Sequence, residues 1–154
     1  MFVKRSKYDI VINLICLLLL LGVTGYLAAN WSSIPDKIPS HYNAVGEVDS
    51  WGNKMELLVL AIIGWIMYIG ITVLEQFPQV WNTGVTVTEE NKARIYPILK
   101  MMISTLKLLV VGVFVFLAIN SALAKALPLW FLPVFLVLMF GSIIFFIVRV
   151  IRAK

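Results

Sequence analysis

The first long apolar run of the chain covers residues 10–29 and reads IVINLICLLLLLGVTGYLAA. It contains no charged side chain. A helix rises 1.5 Å per residue, so roughly 20 apolar residues are needed to cross about 30 Å of hydrocarbon. The run meets that requirement, and it is longer than the apolar core of a signal peptide, which has about 7–15 residues. We therefore expect it to be retained as a transmembrane helix.

Three further apolar runs follow, over residues 57–74, 101–124 and 129–148. The whole chain is 61% hydrophobic and 14% charged, with a mean hydropathy of +0.95. Soluble domains contain about 45–50% apolar residues, so this composition excludes a water-soluble globular protein. The sequence predicts an all-α fold, an integral membrane four-transmembrane-helix bundle, in which residues 1–154 form one domain.

Basic residues are distributed unevenly among the segments that connect these runs. Short loops rich in Lys and Arg stay in the cytoplasm. We therefore expect both termini and residues 76–100 to be cytoplasmic, and the loop of residues 30–54 to be outside the cell. The net charge of +5 is then explained by topology and by anionic lipid, so we expect no nucleic-acid partner. The cytoplasmic basic residues are Lys4, Arg5, Lys7, Lys92, Arg94, Lys100, Arg149, Arg152 and Lys154, against Lys37, Lys54 and Lys125 outside.

Chemistry-bearing residues are concentrated in the outer loop. Pro35 and Pro39 restrict its backbone, and Gly46 and Gly52 permit turns, so we expect a loop of one defined shape. His41 has three readings: a structural anchor bonded to Asn43 or Asp49, a group that recognises a ligand, or a metal-binding or proton-transfer group beside Asp36, Glu47 or Asp49. The predicted recognition residues are His41, Asn43, Asp49 and Lys54.

Metal-site and catalytic signatures are weak in this sequence. It has one histidine and one cysteine, Cys16 in the first apolar run, whereas zinc sites usually draw on several such ligands. No catalytic motif spacing is recognisable. We expect no catalytic residue, no metal site and no cofactor, and an enzyme is the less favoured class.

Two features belong to the predicted cytoplasmic side. Thr88, followed by Glu89 and Glu90, predicts a helix start that continues through Pro97 into the third span. Lys107 lies in that span, only about 5 Å inside its inner edge at 1.5 Å per residue. We expect its ammonium to reach the membrane surface, on a face that Glu75 or lipid phosphates complement.

Residues 34–54, IPDKIPSHYNAVGEVDSWGNK, resemble the loop signature of a bacterial membrane domain of unknown function, the N-terminal domain of SdpI-like proteins. Residues 87–109, VTEENKARIYPILKMMISTLKLL, resemble the segment that leads into that family's third helix. Tyr42 departs from the family's usual phenylalanine, and the family's founding protein carries additional membrane helices. The matching positions are Pro35, Ile38, Pro39, His41, Asn43, Gly46, Asp49, Trp51, Gly52, Lys54, Thr88, Glu90, Asn91 and Tyr96.

The resemblance implies a binding or sensing role in the bacterial cell membrane, such as immunity to a secreted peptide toxin or signalling. The outer-loop residues would recognise the peptide or another membrane protein, and the inner motif of Glu90, Asn91 and Tyr96 would relay or stabilise that state. The lipid bilayer is the remaining partner, and self-association into a homo-oligomer stays open. The alternatives are a membrane enzyme, including a metal-dependent hydrolase, that uses the His41 cluster, and a small structural accessory subunit.

Overall fold

The computed structural model describes residues 3–154 and consists of four long helices and one β-hairpin. The hairpin lies between the first two helices. A single turn of 3-10 helix, Pro78–Val80, lies between the second and third. In chain order the elements are α1 Lys7–Asn30, β1 Lys37–Tyr42, β2 Val48–Asn53, α2 Glu56–Leu74, α3 Lys92–Ala122 and α4 Phe131–Ala153.

Helix α3 is the centre of the bundle. Helices α1 and α2 both pack extensively on it, and α4 packs mainly on it as well. The core between α1, α2 and α3 is formed by aliphatic side chains that recur at helical spacing, since every third or fourth residue faces the same side. Its fully buried members include Cys16, Leu20, Leu57, Val111 and Ala118.

All four helices are long and apolar enough to cross a membrane. Many large apolar side chains on their surface are more than half exposed, such as Leu18 on α1, Ile66 on α2 and Ile144 on α4. A soluble protein rarely exposes apolar patches of this extent. The four predicted spans are confirmed as helices, and they indicate a multi-pass membrane protein.

The predicted outer loop contains regular structure that the all-α prediction omitted. Strands β1 and β2 form a two-stranded antiparallel sheet, in which Lys37 pairs with Asn53 and Tyr42 with Val48. The register shifts on either side of His41, so that Ser40 on β1 and Asp49 on β2 are each extra residues. Such bulges turn side chains away from strict alternation. The hairpin is therefore locally irregular at the residues singled out from the sequence.

The start of α3 differs from the sequence prediction. Thr88 does not begin the helix; residues 89–91 form a turn, and α3 begins at Lys92. Asn91 closes this turn, because its Oδ1 accepts from the Thr88 N–H at 2.8 Å and its Nδ2 donates to the Thr86 carbonyl at 3.1 Å. The helix does continue through Pro97, as predicted.

The bundle has two distinct ends. We call the end that carries β1, β2 and the connection of residues 123–130 between α3 and α4 the hairpin end. We call the opposite end, which carries residues 3–6, residues 75–91 and the end of α4, the terminal end. The two ends contain different kinds of polar site.

Candidate functional site

The hairpin is fixed at two points, one at the end of α3 and one on the connection between α3 and α4. Tyr42 Oη lies 2.9 Å from Ser121 Oγ on α3 and accepts from Asn120 Nδ2 at 3.3 Å. At the hairpin turn, the Gly46 carbonyl accepts from the Leu127 N–H at 2.8 Å. Gly46 has φ +86, and a Cβ there would lie only 2.6 Å from the Leu127 carbonyl oxygen. Only glycine therefore allows this close approach in this conformation.

His41 pairs with Asp49 across the hairpin. Its Nδ1 lies 2.6 Å from Asp49 Oδ1, and the two side chains are 70% and 42% exposed. This is one of the two anchoring contacts expected for His41 from the sequence. The carboxylate fixes the orientation of the imidazole, while most of the ring remains accessible to a ligand.

Asn43 shapes the turn between the strands. Its Oδ1 accepts from the backbone N–H groups of Val45 at 3.0 Å and Glu47 at 2.9 Å. Its Nδ2 donates to the Glu47 side chain at 3.0 Å. The Asn43 side chain thus provides the acceptor for two backbone N–H groups of the turn, which is the usual role of asparagine in turns. The Asn43 side chain therefore holds the turn between the strands in this shape.

Lys54 lies at the base of the hairpin and pairs with Asp36. The Nζ–Oδ1 distance is 2.8 Å, and the ammonium is also 5.7 Å from the centre of the Trp31 ring. The hydrogen bond from Lys54 and its positive charge hold the pKa of Asp36 below its ordinary value. The pair closes the base of the hairpin.

A half-open cavity of about 550 Å³ lies beneath the hairpin. Its roof is formed by residues 38–46, and its walls by α2, α3 and α4. Because α2 and α4 both flank α3, the cavity continues as a groove between them. The wall residues are mainly apolar: Val59, Leu60, Val113, Leu117, Phe131, Leu132 and Phe135.

The predicted recognition residues divide between this cavity and the rest of the hairpin. His41 and Asn43 line the cavity, whereas Asp49 and Lys54 are not among its lining residues. Asp49 instead orients His41, and Lys54 binds Asp36. The structure therefore brings two of the four predicted residues to one possible binding site.

Glu56, the first residue of α2, also lines the cavity. Its Oε1 accepts from the Asn53 N–H at 3.2 Å. A Cβ at Gly52 would lie 2.1 Å from the same oxygen, so glycine leaves room for the Glu56 carboxylate in this position. Among the described residues that line the cavity, Glu56 is the only acidic one, and none is Lys or Arg.

The predicted inner motif lies at the terminal end. Asn91 is buried and holds the turn before α3, and the Tyr96 ring packs against Trp81 with centroids 6.0 Å apart. Trp81 in turn donates from Nε1 to the Leu74 carbonyl at 2.8 Å. Glu90 is exposed. Asn91 and Tyr96 thus fix the connection between α2 and α3.

The position of Lys107 also differs from the sequence prediction. Its side chain is 0% exposed and does not extend to the membrane surface; its Nζ binds Glu75 Oε1 at 2.8 Å. The expected contact with Glu75 is confirmed, and the expected snorkelling is wrong because Asn13 and Thr72 also accept from the ammonium inside the bundle. Sequence reasoning missed the buried carboxylate of Asp9 nearby. The signal was its position directly before an apolar run, three residues after Ser6, in a capping box.

Within the described residues, 3–154, no three His, Cys, Asp or Glu side chains come together as a metal site. The His41 and Asp49 pair stands at the hairpin end, and the carboxylates of Asp9 and Glu75 at the terminal end.

Part of this chain is similar in sequence to known proteins. Residues 18–65 match a family model described as a domain of unknown function, DUF1648. The match covers α1 from Leu18, the whole hairpin and α2 as far as Trp65.

An uncharacterized protein of Archaeoglobus fulgidus is 34% identical over 65 residues, which cover 37% of this chain and 36% of that protein. The alignment thus spans about a third of the relative. No solved structure matches. Residues 18–65 are therefore similar to a domain of unknown function, in a chain whose four apolar helices indicate a multi-pass membrane protein.

Proposed function

We propose that this protein recognises an apolar, positively charged peptide in the cavity beneath the hairpin, at the outer face of a bacterial cell membrane. The observation that carries the proposal is the cavity itself, which is roofed by the loop that resembles the SdpI-like signature. That resemblance implies a peptide toxin as ligand and immunity or signalling as the outcome. With this orientation, the terminal end faces the cytoplasm.

The size and lining of the cavity support a binding role. Its volume of about 550 Å³ lies within the range of about 300–1,000 Å³ that is usual for ligand sites. Apolar walls with a few polar groups are also typical of such sites. Here the polar groups come from the roof and from Glu56, so a ligand would place apolar side chains in the groove and polar groups near the hairpin.

Backbone geometry and charge favour a peptide as the occupant. Strand β1 pairs on one side only, with β2, in a two-stranded sheet. An extended peptide can add to such an edge through backbone hydrogen bonds. Glu56 provides a negative charge in a cavity whose described lining residues include no Lys or Arg, so an amino terminus or a lysine of the peptide is attracted there.

The test is survival of toxin-sensitive bacteria that produce this protein and are challenged with the secreted sporulation-delaying peptide. The wild type is expected to protect. Leu117→Trp, which fills the groove from α3, is expected to reduce protection at least tenfold in peptide concentration. Glu56→Gln removes the charge without changing volume, and it is expected to weaken protection less.

The matched control is Ile144→Trp, because Ile144 lies on α4 with its side chain 63% exposed on the surface of the bundle. It adds the same bulk outside the cavity and should protect like the wild type. Protein abundance is measured in every strain. The proposal fails if the wild type gives no protection, or if Leu117→Trp protects fully at equal abundance.

A membrane enzyme that uses His41 is the second candidate, because a histidine oriented by a carboxylate is a common acid–base arrangement. The 2.6 Å contact of His41 with Asp49 favours it. Metal analysis of the purified protein separates the two functions: bound metal that disappears in His41→Ala supports the enzyme. Loss of protection by His41→Ala with unchanged abundance supports recognition, and loss of abundance supports an accessory scaffold.

A further inference from the structure

A second polar site lies inside the bundle at the terminal end, where α1, α2 and α3 meet. It contains the carboxylates of Asp9 and Glu75, the hydroxyl of Ser104 and the ammonium of Lys107, and each of these residues is at most 2% exposed. Ionisable groups inside an apolar bundle are costly unless they are paired. The charges of Asp9, Glu75 and Lys107 are balanced through the hydrogen atoms that these side chains and Ser104 share.

Lys107 has no hydrogen to spare for Asp9. An ammonium group has three hydrogens. Three acceptors surround Nζ: Glu75 Oε1 at 2.8 Å, Asn13 Oδ1 at 2.9 Å and Thr72 Oγ1 at 3.3 Å. Lys107 and Glu75 therefore form a pair of zero net charge.

Ser104 lies between the two carboxylates. Its Oγ is 2.9 Å from Glu75 Oε1 and 3.2 Å from Asp9 Oδ1. A hydroxyl has a single hydrogen, which can serve only one of these contacts. Two acceptor oxygens would then face each other in the second contact. Among the described groups at this contact, a protonated carboxyl group is the one that can supply the missing hydrogen.

The other contacts of Asp9 indicate which of its two carboxyl oxygens carries this hydrogen. Its Oδ2 accepts from Ser6 N at 2.7 Å and from Ser6 Oγ at 2.8 Å, as in a capping box. Its Oδ1 has the Ser104 hydroxyl as its hydrogen-bond contact among the described residues. When Ser104 donates to Glu75, Oδ1 is a buried oxygen with no donor.

We infer that the Asp9–Ser104–Glu75 cluster is a proton-binding site, with an exchangeable proton on Asp9 Oδ1. Asp9 Oδ1–H donates to Ser104 Oγ, whose own hydrogen is donated to Glu75 Oε1. Moving both hydrogens one step along this chain leaves Asp9 as the carboxylate and Glu75 as the acid, so the hydrogen count is conserved. This site is independent of the cavity at the hairpin end.

Among the described residues, no other titratable side chain of this region donates a hydrogen bond to Asp9 Oδ1, and Arg5, just before α1, is exposed. On α3, Lys100 is buried, but its Nζ donates to the Val3 carbonyl at 2.7 Å. On α2, the Tyr68 ring lies 5.6 Å from Lys107 Nζ. On α1, the Tyr8 hydroxyl is 2.7 Å from Thr105 Oγ1, and Cys16 lies buried further along the helix.

Infrared spectroscopy of the full-length protein in lipid nanodiscs at neutral pH tests the inference. A protonated carboxyl group has a carbonyl stretch that is distinct from those of carboxylates and amides. The wild type is expected to show this band, and the band is expected to shift in heavy water because the proton exchanges. Asp9→Asn should abolish this band. Ser104→Ala should shift the band, because the Asp9 carboxyl group loses the hydroxyl oxygen to which it donates.

The control is Glu89→Gln, which removes an exposed carboxylate at the same end of the bundle. Its spectrum should keep the band unchanged. Absence of the band from the wild type overturns the inference without any need for a variant to fold. A band that persists in Asp9→Asn and is lost in Glu75→Gln overturns the assignment of the proton to Asp9.

Discussion

At the scale of single residues, two glycines determine how closely the hairpin approaches its neighbours. Gly46 allows a positive φ beside the Leu127 carbonyl, and Gly52 allows the Glu56 carboxylate to reach the hairpin. The sequence predicted that these glycines permit turns. It did not reveal the neighbouring atoms, because Leu127 lies far along the chain. Glycine is therefore required at Gly46 for two reasons: the positive φ of its own backbone and the close contact with Leu127.

Gly46→Ala is expected to lower the free energy of unfolding by about 2–3 kcal/mol, since it combines backbone strain with a contact of 2.6 Å. Gly84→Ala is the matched control: φ is +64 there, but nothing lies within 4 Å of an added Cβ. It should cost only the conformational part, about 1 kcal/mol. Unfolding of both variants in detergent micelles measures the difference, and equal losses would contradict the close approach of Gly46.

At the scale of elements, the hairpin is held to the bundle by a few polar contacts and a small apolar contribution from β1. Ile38 is buried in the core, while Trp51 on β2 remains 55% exposed. An isolated two-stranded hairpin is marginally stable. The contact of Tyr42 with Ser121 is therefore expected to contribute measurably to the position of the hairpin.

Ser121→Ala is expected to cost about 0.5–1.5 kcal/mol, because it removes the partner of the Tyr42 hydroxyl. Tyr42→Phe is expected to cost at least as much, because it also removes the acceptor of Asn120 Nδ2. The double variant should cost less than the sum of the two single variants, since both remove the same bond. Chemical unfolding of the four proteins gives the coupling energy. Strict additivity would show that the two hydroxyl groups, 2.9 Å apart in the structure, do not interact in solution.

At the scale of the whole molecule, the proposed function depends on the orientation of the bundle. The uneven distribution of Lys and Arg predicts that the hairpin end is outside the cell and the terminal end is inside. Successive helices run in opposite directions, so the side of the membrane on which one connection lies also fixes the side of every other connection. A single measurement at each end therefore tests the whole arrangement.

Cysteine labelling in intact cells with a membrane-impermeant maleimide provides that measurement. Ser50→Cys, on the exposed hairpin, should react directly, and Glu89→Cys, on the exposed turn before α3, should react only after permeabilisation. The native Cys16 is buried, so the unmodified protein is the control and should not react in either case. Labelling of Glu89→Cys in intact cells would reverse the orientation and place the cavity in the cytoplasm.

The amino-acid sequence by itself determined the four helices, because each apolar run is long enough, as a helix, to cross the hydrocarbon core of a membrane. It also indicated His41, Asn43, Asp49 and Lys54 as chemically unusual. Pairing within the hairpin could not be predicted, since short polar strands with two bulges have no clear alternation.

Only the tertiary structure decided which polar groups meet. It placed His41 and Asn43 on a cavity, assigned Asp49 and Lys54 to structural pairs, and buried Lys107 with Glu75. Asp9 and Ser104 are separated by 95 positions along the chain, so no local pattern relates them. Packing of α1 and α2 on α3 brings them together, because a polar side chain inside an apolar bundle must find its partner on a neighbouring helix.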